Sequence, residues 1–387
     1  MNAARKVGSG VLVAWSVALA SGGCEAGTSS PSASSTAGVA AAQRADFAWA
    51  VDKPGPFRAG FRTWKHTYTP VETGQPRTIA LNLWYPTSDT QGKPASYMDD
   101  TVGDAEAFDQ AKLAPPADPS GYPVMVYSHG YLGFGGTSAD LSRHFASHGW
   151  VVIAPDHTGN TLAEYATGGN EPPPAIWYLR TRDLQQCLKV LDELPANDPL
   201  HGKASTKQVV LSGHSFGAYD VWAMAGATYD VAAIAANCKQ GKGPGGACSE
   251  ADVAVFAKGL GDPRVAVAIP MAGGVDLSMW GENGRKSVKV PTLIMSGTDD
   301  GPGTGQPVFD RTPGPDVAWL QIENGCHQTF ALGTCPKLSA DKGFLLVNSY
   351  ALAWARAYLL GDATKTVQGL VDGTLTLAPE GKLSRHP

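Results

Sequence analysis

The sequence predicts an α/β fold, with a mostly parallel central sheet covered by helices on both faces and opened by an antiparallel N-terminal hairpin. Three observations predict it. Between residues 122 and 360, short apolar runs of strand type alternate with longer helical patterns. The runs themselves, such as Val124-Met125-Val126 and Val151-Val152-Ile153, are almost continuously apolar, as strands buried on both faces must be. Ahead of them, residues 57–70 and 77–86 alternate apolar and polar side chains across a Gly74-Gln75 turn, the pattern of a half-buried hairpin.

In chain order, Arg5 and Lys6 precede the short apolar segment 11–20 and a small-residue end, the pattern of an export signal over residues 1–24. Two processing readings stand open. Ala18-Leu19-Ala20 suits cleavage before Ser21, whereas Ala20-Ser21-Gly22-Gly23-Cys24 resembles a lipoprotein box whose Cys24 is acylated and attaches the chain to a membrane. Either way the protein is exported, to the cell envelope or beyond it. Residues 25–49, rich in Ser, Ala, Thr, Gly and Pro, read as a flexible linker, and 50–387 as a single domain. Residues 87–121 read as a long surface connection. Strands follow at 122–128, 150–155, 208–212, 264–269, 292–296 and 317–322, and helices at 138–148, 176–194, 216–228 and 341–360. An insertion at 229–261 reads as helical and is either a cap over a site or a decorated loop.

The most informative stretch is Val209-Val210-Leu211-Ser212-Gly213-His214-Ser215-Phe216-Gly217. It is a G-x-S-x-G pattern between a buried strand and a helix, where a serine on a strained turn needs small neighbours two residues away. Ser215 is the candidate nucleophile, and the Phe216 amide at the helix start is a candidate oxyanion donor. A serine hydroxyl needs a base, and the base a carboxylate to orient it, each placed after a strand. His327 follows the last strand of the series and is the candidate base. Leu293-Ile294-Met295-Ser296-Gly297-Thr298-Asp299-Asp300 ends in a G-x-x-D turn that selects Asp300 as the acid, with Asp299 and Asp276 as alternatives. The loop His129-Gly130-Tyr131 suits a second oxyanion donor, the Tyr131 amide. Phe134, Trp177, Met271 and Phe330 are candidate substrate contacts that favour an uncharged acyl group. His144 and His148 fall on a helix, and His214 is the variable residue of the turn.

Only 17% of residues are charged and the net charge is -5, so no nucleic-acid partner is implied. Of six cysteines, Cys238 and Cys248 bracket one loop and Cys326 and Cys335 another, which suits two local disulfides in an oxidising compartment. Cys187 reads as a buried thiol. No cysteine spacing comes with the histidines of a zinc site, and triad chemistry requires neither metal nor organic cofactor.

Tyr127-Ser128-His129-Gly130, Phe145-Ala146-Ser147-His148-Gly149-Trp150, Asp156-His157, Trp177-Tyr178-Leu179-Arg180, Gly213-His214-Ser215-Phe216-Gly217 and His327-Gln328-Thr329-Phe330 occur in that order. Together they resemble the platelet-activating factor acetylhydrolase group of α/β-hydrolases, and are similar to dienelactone-hydrolase-like proteins, chlorophyllases and cutinase-like polyester hydrolases. The resemblance spans about residues 123–360. It implies an α/β-hydrolase fold, ester hydrolysis, Ser215 as nucleophile, His327 as base, and Tyr131 and Phe216 as oxyanion donors. The chain departs from the animal acetylhydrolases in one respect. Their acid follows the strand after the elbow helix, where Ile269-Pro270-Met271-Ala272-Gly273-Gly274 carries no carboxylate. That again points to Asp300. Other acyl hydrolases of the same fold, a thioesterase or a peptidase, and a non-catalytic surface lipoprotein are the competing expectations.

Overall fold

Eleven strands among the described residues form one sheet. The computed structural model describes residues 44–167 and 174–386. The hairpin β1 (Arg58–Tyr68) and β2 (Arg77–Thr87) is antiparallel over its whole length, from Arg58 opposite Thr87 to Tyr68 opposite Arg77. β3 (Pro94–Tyr97) and β4 (Val102–Asp109) follow, then β5 (Tyr122–Ser128), β6 (Val151–Asp156), β7 (Ala204–His214), β8 (Val265–Met271), β9 (Thr292–Gly297), β10 (Val317–Ile322) and β11 (Gly381–Arg385). The spatial order is β11-β10-β9-β8-β7-β5-β6-β2-β1-β4-β3. The six strands β6-β5-β7-β8-β9-β10 are parallel, flanked by antiparallel β2 and β11.

Period-2 alternation sends each central strand's side chains into two cores. On one face, Met125 and Tyr127 of β5 join Val152, Val210 and Ile269 beneath α1 (Ala139–Ser147). On the other, Val124 and Val126 join Ile153, Val209 and Leu211. After the short α2 (Leu162–Ala166), α3 (Ile176–Asp192) covers that second face with Leu184, Cys187, Leu188 and Leu191, spaced to share one side of a helix. α4 (Phe216–Met224) begins directly after Ser215 and adds Val221 and Met224. The insertion folds as α5 (Val231–Lys239) and α6 (Glu250–Lys258), the latter started by a Ser249/Asp252 capping box. Tyr229, Ile234, Cys238 and Phe256 pack it on Tyr219 and on Trp280 of α7 (Leu277–Trp280). The Cα atoms of Cys238 and Cys248 are 4.9 Å apart and those of Cys326 and Cys335 5.8 Å apart; both pairs are bonded, while Cys187 is free and buried. α8 (Gln306–Asp310) follows β9. α9 (Ala340–Ala355), extended by a π turn over Arg356–Leu360, and α10 (Lys365–Asp372) return to the first face.

Two expectations are corrected. Residues 87–121 hold β3 and β4, and β4 pairs in parallel with β1. Tyr97 is the anchor, because its ring lies 5.0 Å from that of Phe61 and its hydroxyl accepts from Trp84 Nε1 at 3.1 Å. Structure packed on the domain also starts before residue 50. Ala45–Ala48 form a 3₁₀ turn with Phe47 buried, and the buried Arg356 guanidinium donates to the carbonyls of Phe47 (2.8 Å) and Trp49 (2.7 Å). The export signal, Cys24 and the linker up to residue 43 lie outside the described residues. None of the described helices is long and apolar enough to cross a membrane.

Candidate active site

Ser215 stands between β7 and α4 with φ 57° and ψ -116°, a conformation that side-chain-bearing residues rarely adopt. The turn is possible because of its two flanking glycines. A Cβ on Gly217 would run into the Ser128 carbonyl, and one on Gly213 into the Gly217 carbonyl. Ser215 N donates to Met271 O at 2.9 Å, which ties the elbow to the end of β8.

The loops after β9 and β10 are laced together. Thr298 N donates to Ile322 O (3.0 Å), Asp299 N to Gly325 O (2.8 Å) and Asn324 N to Thr298 Oγ1 (2.8 Å). This brings His327 Nδ1 to 3.0 Å from Asp300 Oδ1, with the Asp300 side chain only 5% exposed and the imidazole 42% exposed. Asp299 points elsewhere and pairs with Lys337 Nζ at 2.8 Å. Asp276 lies in the same cavity as Ser215 and His327, without a hydrogen bond to the imidazole. Among the three carboxylates, geometry therefore selects Asp300 as the partner of His327. A buried carboxylate on one imidazole nitrogen leaves the other free to take a proton, and His327 lines the same cavity as Ser215.

The comparisons with known proteins agree with this architecture. The Chlorophyllase family profile matches residues 106–236, which include the elbow and stop short of Asp300 and His327. Cutinase est2 of Thermobifida alba is 23% identical over 278 residues, covering 70% of this chain and 71% of that protein. Cutinase est1 of the same organism is 23% identical over 278 residues, covering 70% and 72%. The solved structure of a ferulic acid esterase from Streptomyces cinnamoneus superposes with a TM-score of 0.57 at 19% identity, covering 85% of this chain and 97% of its own. The fold is that of the α/β-hydrolases. Within that fold the chain resembles an esterase group.

Within this fold the cavity above Ser215 holds about 650 Å³. Tyr131, Trp177, Phe216 and Tyr219 supply an aromatic lining, and Gly245, Ala272, Gly274, Asp276 and Thr304 complete it with Ser215 and His327. Trp177 thus stands where the sequence placed a substrate contact. Phe134, Met271 and Phe330 do not, being 6%, 0% and 2% exposed in the first core. Met271 shows the reason. It is the last residue of β8, and the strand's alternation sends it to the covered face. Gly245 brings the Cys238–Cys248 loop into the cavity wall, so the insertion contributes to the site. Tyr219, Ala272 and Thr304 were missed; only Tyr219, four residues past Ser215 on α4, carried a helical spacing that could have found it.

Both proposed oxyanion donors are free. Among the described residues neither the Phe216 nor the Tyr131 amide has a protein acceptor. What holds the Tyr131 loop is a wholly buried polar network that sequence reasoning did not assemble. Arg180 donates to Asp220 (2.9 Å), Asn160 (2.7 Å), Ser128 Oγ (3.1 Å) and the His129 carbonyl, and its guanidinium lies 4.4 Å from the Phe216 ring. Burial, offset by Arg180, pushes the Asp220 carboxyl up to about 6. His157 sits between Ser128 Oγ (3.0 Å) and Asp183 (2.9 Å), and Arg77 and Tyr68 hold Asp183 in turn. Ser128, His157 and Asp183 repeat the residue types of a triad, but all are 0% exposed and none lines the cavity above Ser215.

His214 also has a task. Its Nε2 donates to the His327 carbonyl at 2.9 Å, and the two rings are 4.6 Å apart. Burial, and then His327, lower its pKa to about 4, so it is neutral at pH 7 and a dependable donor to that carbonyl.

Proposed function

We propose that the protein is an exported serine carboxylic-ester hydrolase acting through an acyl-enzyme on uncharged short-chain, lipid or polyester-type esters. Ser215 Oγ attacks the ester carbonyl while His327 takes its proton. The Phe216 and Tyr131 amides stabilise the oxyanion, and His327 returns the proton to the leaving alcohol. Water then attacks the acyl-Ser215 bond with His327 again as base, releasing the acid, and Asp300 keeps the imidazole oriented throughout. The observation that carries this reading is the 3.0 Å contact between His327 and buried Asp300 beside a strained Ser215. The aromatic cavity lining and the cutinase names of the two relatives support the ester class. Export rests on the basic, apolar and small-residue order of residues 1–24, and attachment on Cys24.

A fluorophosphonate probe should label Ser215, and Ser215→Ala should abolish labelling and lower p-nitrophenyl ester turnover about a thousandfold or more. A variant within tenfold of the parent would exclude this nucleophile. Mass spectrometry of the mature chain should find Cys24 acylated; an N-terminus at Ser21 would mean secretion without an anchor.

A further inference from the structure

Asp276 is left without a partner by everything described so far. It sits at the N-cap position of α7, yet its side chain accepts no hydrogen bond from that helix, and it makes no other side-chain hydrogen bond among the described residues. Its backbone is held at φ 41°, ψ 52°, left-handed geometry that a glycine would adopt at less cost. The segment leading to it is clamped from behind by Arg285, which is 1% exposed and donates to Gly274 O (2.9 Å) and Val275 O (2.6 Å). Arg285 gives the carboxylate a compensating charge but is not within salt-bridge distance of it. Burial raises the Asp276 pKa and Arg285 opposes the rise. A strained, partly desolvated carboxylate thus borders the cavity that holds Ser215 and His327, half-buried and bonded to no protein donor among the described residues.

We propose that Asp276 is the specificity-determining residue of this cavity: its carboxylate accepts a hydrogen bond from a hydroxyl of the bound ester and turns anionic esters away. The aromatic side chains Tyr131, Trp177, Phe216 and Tyr219 line the same space, so the substrate that fits both features has a planar apolar body and a hydroxyl donor. An acceptor left unpaired by a substrate lacking that hydroxyl loses a charge-assisted bond, the kind of contact on which strong discrimination rests. This inference rests on the ester-hydrolase reading above and adds the polarity of the substrate to it.

The test compares methyl p-hydroxycinnamate with its p-methoxy and p-carboxy counterparts on the parent, Asp276→Asn and Asp276→Gly. Glycine accepts the left-handed backbone and removes the carboxylate; asparagine keeps the shape and an acceptor oxygen but removes the charge. The parent should favour the hydroxy ester over the methoxy ester by about tenfold in kcat/KM, mainly through KM. Asp276→Gly should bring that ratio near unity. Asp276→Asn should keep part of it while accepting the p-carboxy ester about tenfold better than the parent does. Unchanged ratios in a folded Asp276→Gly, verified by its melting temperature, would overturn the assignment. Parent protein labelled at Ser215 and active on p-nitrophenyl acetate in that case keeps the hydrolase reading; parent protein neither labelled nor active would overturn both.

Discussion

Ser215 and Asp300 illustrate how much one residue's surroundings decide. Asp299 and Asp300 are neighbours in one turn, yet the first pairs with Lys337 at the surface and the second is buried against His327. Asp300→Asn keeps the shape of the side chain and removes the charge that supports a protonated imidazole. It should cost at least a hundredfold in kcat, whereas Asp299→Asn should change kcat by less than threefold, since exposed pairs contribute about 0–1 kcal/mol. Equal losses in the two variants would mean that the turn, not the carboxylate, matters. The elbow was legible because its pattern is local: Gly213 and Gly217 are two residues from Ser215, the first required by the Gly217 carbonyl in the same turn and the second by the close approach of the Ser128 carbonyl of β5. The Asp300 turn was legible for the same reason. Phe134, Met271 and Phe330 were misread because a sequence shows that a side chain is aromatic or apolar but not which side of a loop or strand end it leaves. The Arg180–Asp220–Ser128 network was invisible because its members come from three separate elements.

At the scale of elements, two short disulfide loops border the site and should fail differently. Cys326–Cys335 closes the loop that begins the His327 turn, and Cys238–Cys248 closes the loop that carries Gly245 into the cavity wall. Replacing Cys326 and Cys335 together by Ser should lower kcat about tenfold or more, with a stability loss of about 2–3 kcal/mol, because the base loses its tether. The matching Cys238/Cys248 double variant should act chiefly on KM. Steady-state kinetics beside thermal melts separate the two; identical effects would show that both loops serve stability alone. The central elements could be read from sequence because buried parallel strands are continuous apolar runs. β3 and β4 could not, since Pro94–Tyr97 and Val102–Asp109 are rich in Ala, Gly, Ser and Asp and become strands by pairing with each other and with β1. β11 is also short, and its partner β10 supplies the ladder that defines it.

Across the whole molecule, buried histidines set the response to acid. Burial lowers the pKa of His144 and His214 to about 4 and of His148 to about 3, and drives His129 and His157 well below their usual 6.5. Between those values and 6.5 the unfolded chain binds protons that the folded chain refuses, so stability present above pH 6.5 is lost as the pH falls, by about 1.4 kcal/mol per pH unit for each such group. Asp156 and Asp220, raised to about 6 by burial, and Asp276, also raised by burial, act in the opposite sense over the lower part of that window, but the five histidines outnumber them. Melting temperature should therefore drop steadily from pH 7 to pH 4.5; a flat profile would contradict the burial of these rings. The strand order has a consequence in time. From the β5–β7 pair the chain builds one wing of the sheet with its earlier strands and the other with its later ones, β8 through β11. A growing chain consequently carries Ser215 well before it carries Asp300 and His327. On the proposed mechanism, the serine should remain an ordinary alcohol until β9 and β10 have emerged and docked, so a nascent chain should not turn over the esters of the cell that makes it.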